Sequence, residues 1–150
     1  MPPDPFWKAL PWRHPFLMVD RVVECVPHRR IVTCKNVTSG DAMGVGDVRG
    51  SELPGVMIVE GMSQSAALLF QRTYGAASPE RVPLLGTLKA SWQRPARPGD
   101  VLTFTIEALK MTSRMGIFRG VARVDGAPIA SAELGFAVSQ PAGSRQEEVK

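Results

Sequence analysis

Residues 53–70 run Leu-Pro-Gly-Val-Met-Ile-Val-Glu-Gly-Met-Ser-Gln-Ser-Ala-Ala-Leu-Leu-Phe, an almost wholly apolar stretch interrupted by one charge, Glu60. Pro54-Gly55 is a helix-start signal, and Gly75 is a natural stop. The pattern predicts a helix from about Pro54 to about Tyr74. A helix apolar on nearly all sides has to be wrapped by other elements. A carboxylate inside it is unfavourable unless paired, hydrogen-bonded or functional. Two readings of Glu60 follow. It is a structural carboxylate satisfied by a backbone or Arg partner, or a carboxyl group held for proton transfer.

The rest of the chain supplies the wrapping. Phe16 to Val26 is rich in β-forming residues, and Pro27-His28-Arg29-Arg30 reads as a turn. Ile31 to Val37 alternates with a strand period, so the two segments form a hairpin. A Gly-rich loop, residues 39–53, leads into the helix; its glycines permit close approach of a ligand. After a polar linker, strands are predicted over residues 82–92, 101–110, 115–124 and 128–138. Asp125-Gly126 is a strong hairpin signal between the last two. A short helical turn is expected at Phe6 to Leu10.

Strand, strand, long apolar helix and four strands imply an α+β architecture, an antiparallel sheet curled around one helix. One sheet leaves the flanks of such a helix open, so a dimer is expected. Length suits a single domain over residues 1–140, with a polar, disordered tail over 141–150.

Composition narrows the function classes. The chain of 150 residues is 44% hydrophobic and 21% charged, ordinary for a globular protein. No segment is apolar for long enough to span a membrane, and the N-terminus lacks a signal-peptide pattern. A cytoplasmic location is expected. Cys25 and Cys34 are expected as free thiols on neighbouring strands, and two Cys with two scattered His form no metal pattern. A net charge of +4 suits an acidic partner. Without a dense basic run and interleaved aromatics, nucleic-acid binding is not expected.

Three blocks carry a family resemblance. They are Leu10-Pro11-Trp12-Arg13-His14-Pro15-Phe16-Leu17-Met18-Val19-Asp20-Arg21, Pro54-Gly55-Val56-Met57-Ile58-Val59-Glu60-Gly61-Met62-Ser63-Gln64, and Arg94-Pro95 with Pro98-Gly99-Asp100, followed by Gly116 to Ala122 and Val124-Asp125-Gly126. Together they resemble the β-hydroxyacyl-acyl-carrier-protein dehydratases of type II fatty-acid synthesis, over roughly residues 10–138. The resemblance implies the hot-dog fold and loss of water from a β-hydroxyacyl thioester to give a trans-enoyl thioester. It implies no cofactor beyond the phosphopantetheine of acyl carrier protein, which bears the substrate. By the same resemblance Glu60 is the helix carboxyl group that helps expel the hydroxyl, Gly55 offers a backbone N–H to the thioester carbonyl, and Gln64 orients Glu60. Phe16, Val56, Met57, Gly116 and Phe118 are implied substrate-binding positions, set against a plain core role. Arg94 and Arg97 are implied docking residues for the acidic carrier protein, set against plain solvation.

The family pattern also has a catalytic His before the helix. Here Asp47 falls at that place, in a stretch one residue shorter, while His14 and His28 belong to other segments. Four readings follow. The chain donates Glu60 to a heterodimer whose His-bearing homologue supplies the base. It works as a homodimer with Asp47 as base. It is a thioesterase that uses Glu60 on the thioester or on water. Or it is a non-catalytic acyl-binding or scaffold subunit.

Overall fold

In the computed structural model, residues 8–41, 51–75, 81 and 83–139 are described. They form β1 (Arg21–Val26), β2 (Arg30–Asn36), α1 (Gly55–Tyr74), β3 (Pro83–Trp92), β4 (Val101–Met111), β5 (Met115–Val124) and β6 (Ala127–Val138). The strands make one antiparallel sheet in the order β1-β2-β4-β5-β6-β3. The expected element order is therefore present. Asp41 is described, but Asp47, most of the Gly-rich loop and the tail lie outside the described residues. Of the turn expected at residues 6–10, only Lys8 to Leu10 are described, and Leu10 is in the core.

Alternation along the strands sends one set of side chains onto α1. Leu102, Phe104 and Ile106 of β4, Phe118 and Ala122 of β5, and Ala130 and Leu134 of β6 are fully buried in one cluster with the helix residues Ile58, Met62, Leu68 and Leu69, and Ile129 joins them where the β5–β6 register shifts. Gly61 lets the Phe104 ring lie against the helix, because a Cβ there would overlap that ring. The opposite face carries an alternating charge row. Arg30 pairs in register with Glu107, Glu107 with Arg119, Arg119 with Glu133, and Glu133 with Lys89. Opposite charges directly across strands favour this register over a slip by one residue. The Asp125-Gly126 turn has φ of 50° and 77°, the double left-handed geometry expected of that dipeptide.

One prediction needs correction. The first strand begins at Arg21, not Phe16. The Phe16 and Leu17 N–H groups turn back to the Arg13 carbonyl. The Phe16 carbonyl and the Met18 N–H are satisfied by a side chain of α1 instead of a neighbouring strand.

The sheet ends on β3, which pairs only with β6 among the described strands. Leu84, Leu85, Leu88 and Trp92 on it are exposed, as is Val56 at the start of α1. Leu85, Leu88 and Trp92 pair in register with the buried Phe136, Leu134 and Ala130, so on the helix side one apolar flank is left uncovered, while Leu84 lies on the other face of the sheet. Elsewhere several buried polar groups find partners, although Ser63 Oγ and Gln71 Oε1 on α1 have none. The Thr33 and Ser65 hydroxyls bond at 2.7 Å. Lys35 lies 3.2 Å from Asp41, at the entry to the Gly-rich loop. Burial alone would raise the Asp41 carboxyl. The Thr38 N–H and hydroxyl together with the Lys35 ammonium reverse this and hold it below its ordinary range.

Candidate active site at the start of the central helix

From Met57 to Gln71 every residue of α1 is buried except Glu60, which is half-buried. Val56, one turn earlier on the same stripe, is 68% exposed. The fold therefore opens a window over one stripe of an otherwise enclosed helix, and the lone carboxylate sits in it. The fully buried charge suggested by the apolar sequence is not what forms. Glu60 reaches the open flank.

Gln64, four residues on, holds that carboxylate. Its Nε2 donates to Glu60 Oε1 at 2.9 Å and to the Phe16 carbonyl at 2.9 Å, while its Oε1 accepts the Met18 N–H at 2.8 Å. Gln64 is 0% exposed, so its own amide is shielded from water. Both amide hydrogens are spent, which fixes the rotamer. Glu60 Oε2 takes no hydrogen bond from any described residue. This arrangement uses the N-terminal block and the helix together. It explains why residues 16–18 leave the sheet.

The helix start is bare. Its N-cap is Pro54, which makes no side-chain cap, and the first turn carries no acidic residue. The first N–H groups of a helix lack intrahelical acceptors and carry the positive end of its dipole. Here nothing in the first turn neutralises that end. Gly55 sits at this point. Its carbonyl accepts the Trp92 indole N–H at 2.9 Å. Nearby, the Leu53 N–H bonds the Ala96 carbonyl at 2.9 Å, and Arg97 reaches Glu52 at 3.3 Å. A groove of about 270 Å³ lies between helix start and β3–β4 connection, lined by Pro54, Gly55, Ile58, Trp92 and Arg94 among others.

Glu60, Gln64, Gly55, Val56 and Phe16 are thus brought to one end of α1, with Phe16 45% exposed. Met57 is only 8% exposed. Phe118 and Gly116 are not brought to the groove. Phe118 is 0% exposed and packs edge-on against Phe136, and its ring occupies the space a Cβ on Gly116 would need. In this structure they are core. Arg94 is exposed at the groove; Arg97 is exposed but already faces Glu52. Trp92 was missed from sequence. Its only signal was a bulky aromatic at the end of a strand before a Pro-rich turn.

Cys25 and Cys34 are free. They are not register partners, since Cys25 faces Ile31 and Cys34 faces Arg21. Burial raises the Cys25 thiol, partly offset by the charge of Arg72. Among the described residues no group of three His, Cys, Asp or Glu side chains is placed to hold a metal ion. No described helix is long and apolar enough to cross a membrane.

The chain is 36% identical over 143 residues to the 3-hydroxyacyl-[acyl-carrier-protein] dehydratase FabZ of Granulibacter bethesdensis, covering 94% of this chain and 84% of the relative. It is 40% identical to the FabZ of Campylobacter curvus, covering 85% and 90%. Among solved structures it resembles the dehydratase heterocomplex ApeI:P from Xenorhabdus doucetiae, with a TM-score of 0.75 at 19% identity over 93% of this chain and 92% of that one. A homologue of HP0420 from Helicobacter felis gives a TM-score of 0.69 at 11% identity, covering 95% of each chain. These likenesses establish the hot-dog fold. Residues 10–133 match the FabA-like domain, and the chain belongs to the FabA-like family.

Proposed function

We propose that this chain dehydrates β-hydroxyacyl thioesters carried on acyl carrier protein, giving trans-enoyl thioesters, and does so as the Glu-contributing subunit of a composite site. The observation that carries the reading is the Glu60 carboxyl group, fixed by Gln64 in the one window of a buried helix, beside a bare helix start. FabZ-type relatives support the reaction class.

Each step has a physical need that these groups meet. A base takes the α-proton, and the electron pair moves toward the thioester oxygen. The Gly55 N–H and the uncompensated helix terminus stabilise that developing charge. The pair then forms the Cα–Cβ double bond as the Cβ–O bond breaks. Hydroxide is a poor leaving group, so the oxygen must be protonated as it departs. The Gln64 N–H on Oε1 leaves Glu60 Oε2 to carry that proton, and the product is water.

The base is assigned to a His-bearing homologue that covers the open flank. Exposed Leu85, Leu88 and Trp92 on the helix side of β3, an edge strand among the described residues, give that partner an apolar seat. Asp47 occupies the family His position in this chain and is the alternative base in a homodimer. Carrier-protein docking rests on Arg94 more than on Arg97, whose charge already meets Glu52. The phosphopantetheine arm is the only prosthetic element required, and it arrives with the substrate. The setting proposed is the cytoplasm.

The test is purification of the chain alone and with a His-bearing hot-dog partner, followed by enoyl absorbance and free-thiol release. Dehydration only in the mixture is expected. Full dehydration by the isolated chain overturns the composite site, and loss of that activity in Asp47→Asn would then assign the base to Asp47. Thiol release without enoyl formation would replace dehydration by thioester hydrolysis.

A further inference from the structure

Trp92 stands outside every motif that suggested the reaction, yet it touches the residue on which the proposed polarisation depends. Its Nε1 donates to the Gly55 carbonyl at 2.9 Å. The indole also covers the Gly55 Cα, since a Cβ built there would lie 2.7 Å from Nε1 and 3.1 Å from Cδ1 and Cε2. The ring is 47% exposed, and its open side lines the groove of about 270 Å³ at the helix start. Two further links hold the same connection to the helix entry, Leu53 N–H to Ala96 O and Arg97 to Glu52. Both lie before Pro54. Trp92 provides the tether beyond it, on the first residue of the helix.

A helix with no side-chain cap is free to fray over its first turn. A frayed turn would move the Gly55 N–H away from any carbonyl placed against it. A donor that must meet a developing oxyanion works only if its position is set before the reaction, and displacement by about 1 Å can lower a rate about a hundredfold. The hydrogen bond to the Gly55 carbonyl and the ring over its Cα supply that restraint. The same contact requires glycine at position 55.

We propose that Trp92 is a positioning residue that holds the first turn of α1, and with it the Gly55 N–H, in place for the thioester carbonyl. This rests on the dehydratase reading and names a residue that reading does not contain.

The test uses this chain in the active assembly, with Trp92→Phe, Trp92→Ala, Gly55→Ala and the double variant Trp92→Ala/Gly55→Ala. Phe keeps the ring and removes the donor. The expected result is a fall in kcat of roughly twofold to fivefold for Trp92→Phe and about tenfold or more for Trp92→Ala, with KM changed much less. Gly55→Ala should lower kcat in the parent and have little further effect once the ring is gone. Wild-type kcat in Trp92→Phe overturns the hydrogen-bond tether, even where Trp92→Ala fails to fold. Independent, multiplying effects of Gly55→Ala and Trp92→Ala overturn coupling through this contact. A readout without turnover separates the two proposals. The Gly55 amide resonance should shift when a non-hydrolysable β-hydroxyacyl pantetheine ketone binds, and shift less in Trp92→Phe. A normal shift pattern in an assembly that never dehydrates substrate would sink the reaction and leave the positioning role standing. Equal shifts in parent and Trp92→Phe would remove the positioning role whatever the reaction.

Discussion

The two ends of α1 are built to opposite plans. At the C-terminal end the backbone is closed. The Gly75 N–H returns to the Gln71 carbonyl, Thr73 Oγ1 donates to Leu69 O, the Tyr74 hydroxyl bonds Met111 O, and Arg72 stands in the last turn where a cation opposes the dipole. At the N-terminal end there is no side-chain cap and no acidic residue, only Pro54 and Gly55 under the Trp92 ring. A helix that needed only stability would be finished at both ends. The unfinished end is the one with the half-buried carboxylate and the groove. One terminus is closed for stability, while the other keeps its donors without a side-chain cap or a counter-charge.

Breaking the functional end should give the largest effect. Glu60→Gln removes the proposed proton donor while keeping the shape. It is expected to lower dehydration about a hundredfold or more, with the melting temperature nearly unchanged. Wild-type turnover in that variant would show that the chemistry lies elsewhere. Gln64→Leu strikes the link between helix and N-terminal block. It leaves the buried Met18 N–H and Phe16 carbonyl without their partner. A loss of about 2–3 kcal/mol in urea unfolding is expected, together with reduced activity. A purely local role for Gln64 predicts lost activity at full stability.

The closed end should respond only in stability. Gly75 has φ of 96°, a region that strains a side chain even though the space around it is open. Gly75→Ala should therefore destabilise by about 1–2 kcal/mol with kcat per folded molecule unchanged. Arg72→Glu reverses the charge in the last turn. A loss of about 0.3–1 kcal/mol is expected, shrinking with added salt. A marked change in kcat from either variant would break the division between the two ends.

Much of the fold was legible because its signals are local. The apolar period of residues 53–70, the Pro-Gly start and the Asp125-Gly126 turn each act over a few residues. The spacing of Glu60 and Gln64 also places them one turn apart on a helix, so their hydrogen bond could be anticipated. The strand assigned from Phe16 failed for a nonlocal reason. A residue 48 positions later in the chain takes the Phe16 carbonyl and satisfies in that way a group that a strand would have bonded. For Gly116 and Phe118 only the tertiary structure shows the burial of both positions. A glycine and an aromatic two residues apart look alike in sequence whether the ring lines a groove or fills the glycine's own space.

By itself, then, the sequence determined the elements, the enclosed helix and the single carboxylate within it, because periodicity and turn chemistry are set by neighbours along the chain. Tertiary structure decided what those residues do. The β1-β2-β4-β5-β6-β3 order puts β3 at an edge and leaves the flank of α1 open, so Glu60 is half-buried instead of sealed in. The same order carries Trp92 from the end of β3 onto Gly55, 37 residues away in the chain. Contacts at that separation depend on which strands pair, and no local pattern encodes that choice.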